Sequence, residues 1–371
     1  MNIGFDARLY QKGLGLGRYV QQLLLQYDAI DLGKNTMTVF LSKEGMNEFQ
    51  PKNTNIVKVV APYQWYTLHE QIAFPLLLNK SGCDVVHFPH FNVPIFYKKP
   101  YVVTIHDLIL LKMPRSARLA ASTRIPWIYD LKYAGYRFVL HQAVKNAKQI
   151  IAPTHYVKND LLTMLHCIDK KVTCISEAAM DIHVHDSKDV SPVVAGPYVL
   201  YVGNAYPHKN LDLLLELGTL LDKESSDLRI IVVGQEDYFA KKFRQKVRSM
   251  GLGSRIHHRG FVSDQVLANL YHFALAYVFP SFEEGFGLPG LEAMSYGVPV
   301  ISSTSSCLPE VYGNAALFAS PKDTQVWLEM IKKVRYNSEL REDYIQKGFQ
   351  CVIKYDWRET ARETMCILTS L

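Results

Sequence analysis

Glu284 and Glu292 stand with seven residues between them in SFEEGFGLPGLEAMSYGVPVISS, residues 281–303. An apolar run ends at Ser281, a glycine-rich loop follows, and LPGLEAMSYG opens a helix. Carboxylates accept hydrogen bonds from the vicinal hydroxyls of sugars. The first N–H groups of a helix lack intrahelical partners and favour hydroxyl or phosphate oxygens. The segment therefore predicts a pocket for a hydroxyl-rich, anionic ligand. Taken alone, the same residues also fit a solvated loop acid and an acid placed favourably in a first helical turn. A second candidate is VGNAYPHKN, residues 202–210, again between a strand and a helix. Lys209 there is positioned to reach a phosphate, although a cation at a helix start is mildly unfavourable against the dipole; that cost argues for a use. A third is GLGLGRY, residues 13–19, ahead of the amphipathic YVQQLLLQY. Its glycines do not have the GxGxxG spacing of a dinucleotide loop, and a plain flexible turn explains them equally well. His106 and Asp107 close another apolar run, as a reactive pair or as an ordinary strand-end hydrogen-bond pair.

These residues need strands that end in one place. Apolar, β-branched runs occur at 2–6, 37–41, 56–61, 84–88, 101–105 and 149–152, then at 198–202, 229–233, 256–262, 275–279 and 298–302. They do not alternate in polarity, as expected of parallel strands covered on both faces. Helical patterns such as 211–223 and 239–250 lie between them, which predicts doubly wound α/β sheets. The alternation breaks at 181–197, a polar stretch with two prolines and a glycine. Two facing Rossmann-like domains with a cleft between them are expected: an acceptor-side domain over 1–180, a linker over 181–197, and a second domain over 198–345. Several runs finish in polar or glycine-bearing tips, where open α/β sheets bind ligands.

The chain has 371 residues, 48% hydrophobic and 20% charged, with a net charge of +6. This suits two folded domains and excludes collagen-like and low-complexity classes. The charge is unevenly placed: residues 1–180 hold 21 Lys/Arg against 12 Asp/Glu, or +9, which leaves −3 for the remainder. Six scattered cysteines give neither a CxxC pair nor a zinc spacing, so a reducing compartment is expected. MNIGFDARLY lacks the basic start and long apolar stretch of a signal peptide, and no apolar run is long enough to span a bilayer. A cytoplasmic protein, or one peripheral on the cytoplasmic membrane face, is expected.

EGFGLPGLEAMSYGVPVI resembles the signature of the group-one family of retaining glycosyltransferases with the GT-B fold, whose paired glutamates are spaced E-x7-E. GLGRY resembles that family's N-terminal glycine loop, VTIHDL its histidine loop, and VGNAYPHKN its donor-phosphate loop. APTHYVKNDL and VTCISEAAMD resemble the segments before its interdomain linker. YDWRETARETM resembles its final helix, so that 346–371 is expected to cross back onto the first domain. Beside the signature, six further pieces match in order across nearly the whole chain.

The resemblance implies a nucleotide-sugar donor held by the second domain and an acceptor held by the first. Glu292 would bind the donor ribose. Glu284, with the backbone of Phe286, Gly287 and Leu288, would bind the hexose. Lys209 would contact the pyrophosphate beside Gly203 and Asn204, helped by Gly15 and Gly17, with His106 near the transferred sugar; His106 and Glu284 would be the catalytic residues. Many members carry Arg where this chain has Asn204; His208 and Arg18 are the candidates to replace that cation. The resemblance implies retention of configuration with no bound metal and no cofactor, and the sequence has no DxD. The GLGRY and PHKN variants resemble the mannosyltransferase branch, so GDP-mannose is the preferred donor and UDP-glucose its rival. A sugar-nucleotide epimerase and a non-catalytic sugar-binding scaffold are the remaining readings; intact Glu284, Glu292 and Lys209 oppose them.

Residues 98–148 hold ten basic residues (among them Lys98, Lys112, Arg115, Arg118, Arg124, Lys132 and Arg137) against Asp107 and Asp130. Trp127, Tyr129, Tyr133, Tyr136 and Phe138 are interleaved. Such a region suits an anionic membrane surface or a lipid-linked acceptor as well as it suits a solvated charged face. No nucleic-acid recognition motif accompanies it.

Overall fold

The computed structural model describes residues 1–10, 15–116, 123, 125–179 and 191–371. The chain separates into two compact units: Met1–Leu108, Asp130–Glu177 and Asp356–Leu371 form the first, and Ile109–Tyr129 with Ala178–Tyr355 form the second.

The first unit is built on seven strands: β1 (Asn2–Asp6), β2 (Thr36–Leu41), β3 (Ile56–Val60), β4 (Val85–Phe88), β5 (Tyr101–Thr104), β6 (Gln149–Ala152) and β7 (Val172–Cys174). Their order across the sheet is β3-β2-β1-β4-β5-β6-β7, with every pairing parallel. Ile3 stands opposite Met37 on one side and Val85 on the other. The inner strands are buried along almost their whole length, which is why they read as unbroken apolar runs.

The second unit repeats the plan with β8 (Tyr198–Val202), β9 (Arg229–Val233), β10 (Ile256–His258), β11 (Ala276–Phe279), β12 (Val300–Ser303) and β13 (Ala316–Ala319). Its order is β10-β9-β8-β11-β12-β13, again all parallel. The Asp212–Lys223 helix lays Leu213, Leu214, Leu217 and Leu221 into the core, and Asp237 caps the Tyr238–Ser249 helix by accepting from the Ala240 N–H. In both sheets the chain starts in the middle, runs to one edge and crosses back. The strand order therefore reverses between β1 and β4, and between β8 and β11, and such a reversal opens a crevice at the carboxyl ends of the two strands.

Two strands, β7 and β13, lie outside the apolar runs. The run expected over 256–262 stops at His258, because Gly260 turns the chain with φ +70°. Residues 109–129 cluster with the second unit rather than with the 1–180 block. The return to the first unit comes at Asp356 instead of 346, since the Ser338–Val352 helix stays in the second. The final helix, Trp357–Thr369, packs on the Gly15–Ala29 helix, with the Trp357 ring 5.6 Å from Tyr19. Thr360 donates to the Ser176 carbonyl at 2.7 Å. Of the expected linker, 181–190 lies outside the described residues.

Candidate functional site

The second unit's reversal point is flanked by the loops that the sequence singled out: 203–210 follows β8, and 280–287 follows β11. The β8 tip turns sharply at Gly203, whose φ of +152° suits glycine. A Cβ on neighbouring Gly234 would lie 2.1 Å from the Gly203 carbonyl oxygen, so the two strand tips touch through bare backbone. Tyr201 donates to the Asn204 carbonyl at 2.9 Å and Tyr277 to the Val202 carbonyl at 3.1 Å, fixing the tip from beneath.

Lys209 is held by a short turn. Asn210 adopts a left-handed conformation and donates to the Pro280 and Pro321 carbonyls. The Phe282 N–H donates to the His208 carbonyl at 2.7 Å, which ties this turn to the glutamate loop. Across the junction the Lys209 ammonium reaches both oxygens of Glu284, at 2.7 and 2.8 Å. Their side chains are 17% and 8% exposed, so the pair sits in a recess where charge is weakly screened. The Glu284 N–H is already taken by Ser306 Oγ. Gly287, with φ +99°, starts the Leu288–Ser295 helix, and Glu292 lies buried within it, 3.5 Å from the Tyr271 hydroxyl. Phe286 is buried with its ring 5.3 Å from Tyr355, so only its backbone is placed to serve a ligand. Tyr312 donates to the Gly287 carbonyl, and its ring fills the space where side chains at 287 and 290 would stand. Gly203, Asn204, Lys209, Glu284, Phe286, Gly287, Leu288 and Glu292 thus gather on two adjoining loops and one helix.

The idea that His208 replaces the missing cation does not survive the geometry. Its backbone N–H donates to Ser116 Oγ at 2.7 Å, and its Nδ1 lies 2.5 Å from the Ser116 carbonyl. Burial, with Lys209 adding to it, pushes its pKa down to about 4, so the ring is neutral near pH 7. Lys112, from the 109–116 segment, pairs instead with Glu283 at 2.9 Å. Sequence reasoning missed Ser116 and Glu283, because a neutral hydroxyl 92 residues from its partner leaves no local pattern.

In the first unit, Gly15 and Gly17 lie in the first turn of the Gly15–Ala29 helix, and a Cβ at Gly15 would meet nothing within 4 Å among the described residues. His106 follows β5. Its Nδ1 is 2.6 Å from Glu177 and its Nε2 is 2.8 Å from the Pro89 carbonyl, with Tyr19 edge-on at 4.6 Å. Burial alone would lower the His106 pKa, but the Glu177 carboxylate outweighs it and holds the value above the ordinary imidazole range. Both ring nitrogens face acceptors within the fold, the Glu177 carboxylate and the Pro89 carbonyl, and these contacts hold the ring at the strand tips. Glu177 lies in VTCISEAAMD, and its spacing from His106 carried no signal in the sequence.

Two family models cover most of the chain. The one described as "Glycosyl transferases group 1" matches residues 186–350, and "Glycosyltransferase Family 4" matches 15–178. O-antigen chain mannosyltransferase RfbU of Salmonella typhimurium is 29% identical over 82% of this chain and 79% of its own length. O-antigen chain mannosyltransferase B of Escherichia coli is 28% identical over 76% and 73%. Among solved structures, Anabaena HepE in complex with UDP-glucose superposes with a TM-score of 0.74 at 15% identity over both full chains. WaaG, a glycosyltransferase of lipopolysaccharide biosynthesis, gives 0.71 at 16% over 99% of each; at these identities the likeness establishes the fold. With paired parallel sheets, an E-x7-E loop seated at a strand-order reversal, and both family models in sequence order, the chain belongs to the group-one glycosyltransferases of the GT-B fold.

Proposed function

We propose that the protein is a retaining mannosyltransferase that moves mannose from GDP-mannose onto a glycan or lipid-linked glycan. The observation that carries the reading is the Lys209–Glu284 pair at the β8/β11 reversal, with Glu292 in the adjoining helix. Glu292 accepts from the ribose hydroxyls and Glu284 from the hexose, beside the backbone of Phe286, Gly287 and Leu288. Lys209 exchanges part of its bond with Glu284 for the diphosphate, which Gly203 and Asn204 approach through backbone. Gly15 and Gly17 contribute backbone contacts to the same phosphates, and His106 sets the conformation of the strand tip near the transferred sugar. The bond from C1 to the diphosphate oxygen breaks as the bond from C1 to the acceptor oxygen forms on the same face. The acceptor's proton passes to the departing diphosphate. Stabilisation of that leaving group falls to Lys209 and to helix N–H groups, an electrostatic role that needs no bound metal. The two relatives named above are O-antigen chain mannosyltransferases, and that supports mannose as the sugar.

We also propose that the protein works in the cytoplasm, peripheral to an anionic membrane, through 98–148. Among the described residues no helix is long and apolar enough to cross a bilayer. The Pro126–Asn146 helix exposes Trp127, Leu131 and Phe138 beside Lys132 and Arg137, an arrangement that suits interfacial binding. Arg118 and Arg124 lie outside the described residues. Sedimentation with anionic and neutral vesicles tests this, and equal, negligible binding to both removes it.

The function itself is tested by thermal unfolding with GDP, UDP, ADP and their hexose conjugates, since a ligand of the native state raises the melting temperature. A selective shift with GDP and GDP-mannose, lost in Glu292→Ala, is expected. A UDP-glucose preference would move the donor assignment to the rival hexose, and no shift with any nucleotide would remove the reading.

A further inference from the structure

The first sheet has its own reversal point, between β1 and β4, and the loops after β3 and β4 form a wall beside it. Arg8, just past β1, is turned inward: it chelates Asp6 at 2.8 Å through two nitrogens and reaches Glu70 at 2.9 Å. Its guanidinium lies between Trp65, 4.5 Å away, and Phe74, 3.9 Å away. Glu70 accepts in turn from Asn92 Nδ2 and from the Tyr66 N–H. One buried ionic network thereby fastens the loop after β3 to the loop after β4, and such networks specify conformation more than they stabilise it.

What the wall presents is aromatic. Tyr66 is 65% exposed although the network holds it at φ +63°, a backbone region where a tyrosine is rare. Its ring lies 6.2 Å from Phe91, which meets Tyr136 edge-on at 4.9 Å. His90 adjoins Phe91 at 4.1 Å, and burial, with His106 adding to it, lowers its pKa to about 3, so it is a neutral imidazole. Beside it, Trp65 Nε1 is buried with no hydrogen-bond partner among the described residues. The strained backbone and the buried network together fix where this exposed ring stands. The wall's arginine, Arg8, is turned inward and paired with two carboxylates, so it is not presented to a ligand. Ring faces with a few polar groups between them suit the C–H face and hydroxyls of a neutral pyranose.

We propose that Tyr66, Phe91 and Tyr136 form a stacking platform for a sugar of the acceptor glycan, at the β1/β4 reversal of the first sheet. This rests on the glycosyltransferase reading above, and the test keeps the two apart. The full-length chain is titrated with α-linked mannobiose, followed by saturation-transfer NMR and by Trp65 fluorescence, and with GDP in the same preparation. Tyr66→Gly accommodates the left-handed backbone without strain, so folding is not at stake, while Tyr66→Phe keeps the ring. The expected result is at least a tenfold loss of mannobiose affinity in Tyr66→Gly, wild-type affinity in Tyr66→Phe, and unchanged GDP affinity in both. Wild-type mannobiose affinity in Tyr66→Gly overturns the platform. So does absence of disaccharide binding in a wild-type protein that binds GDP, and so does a variant whose defect is confined to anionic vesicles. Loss of GDP binding in the wild type removes the transferase reading and the platform with it.

Discussion

Lys209 and Glu284 supply the most demanding test of the second unit's site, because each is the other's charge partner and both are proposed to serve the donor. The ammonium meets both carboxylate oxygens, at 2.7 and 2.8 Å, with side chains only 17% and 8% exposed. Breaking a fully buried pair by removing one partner costs about 3–5 kcal/mol, most of it from the charge left behind. With some solvent reaching this pair, about 2–4 kcal/mol is expected for Glu284→Gln and for Lys209→Met, or roughly 4–16 °C in the unfolding midpoint of a unit this size. The double variant leaves no orphan charge, so its loss should fall short of the sum by at least about 1.5 kcal/mol. Binding behaves differently: GDP affinity falls in Lys209→Met and stays low in the double variant, whose stability has partly recovered. Urea unfolding and calorimetric GDP titration of the four proteins measure both quantities. Additive stabilities within about 0.5 kcal/mol, or GDP affinity unchanged by Lys209→Met, would refute the argument.

The His106–Glu177 pair gives a pH signature. Its imidazole pKa is raised in the fold, so its contribution is complete below the ordinary value of about 6.5 and is lost as pH rises through the folded value. The stability difference between wild type and Glu177→Gln should therefore be largest near pH 6 and shrink toward alkaline pH; growth with pH contradicts the pairing. At Gly290 an added Cβ would lie 2.2 Å from the Tyr312 hydroxyl. Gly290→Ala should cost at least about 2–3 kcal/mol in urea unfolding, and a neutral result would mean that the Tyr312 ring is not seated there. Gly15→Ala has open space around it and should leave stability within about 1 kcal/mol. If its backbone approaches the donor phosphates, the donor KM rises several-fold without a matching fall in stability, and an unchanged KM removes Gly15 from the site.

Much of the sheet architecture was legible because strands buried on both faces leave continuous apolar runs. β7 is three residues long, and β13, with a half-exposed centre, reads ALFA, so neither stands out from its surroundings. The local parts of the candidate site were equally plain, since Glu284, Glu292 and the glycines between them share one loop and one helix. What escaped were pairings at long range: Arg8 with Glu70, His106 with Glu177, and Ser116 with His208. Each joins strand tips or loops that only the fold brings together. Asp6 lies inside an apolar strand two residues before Arg8, yet nothing in the local sequence points to Glu70 as Arg8's second carboxylate. The grouping of 109–129 with the second unit is hidden for the same reason, as its ties run through Ser116 and Lys112 to residues far along the chain.

The central claim is that this chain transfers mannose from GDP-mannose with retention. Proton NMR of the anomeric region, recorded while the protein turns over GDP-mannose with an α-mannoside acceptor, tests it most directly. The account expects GDP release together with a new α-mannosyl signal, both abolished in Glu292→Ala. A β-linked product, or GDP release that Glu292→Ala leaves unchanged, would contradict it.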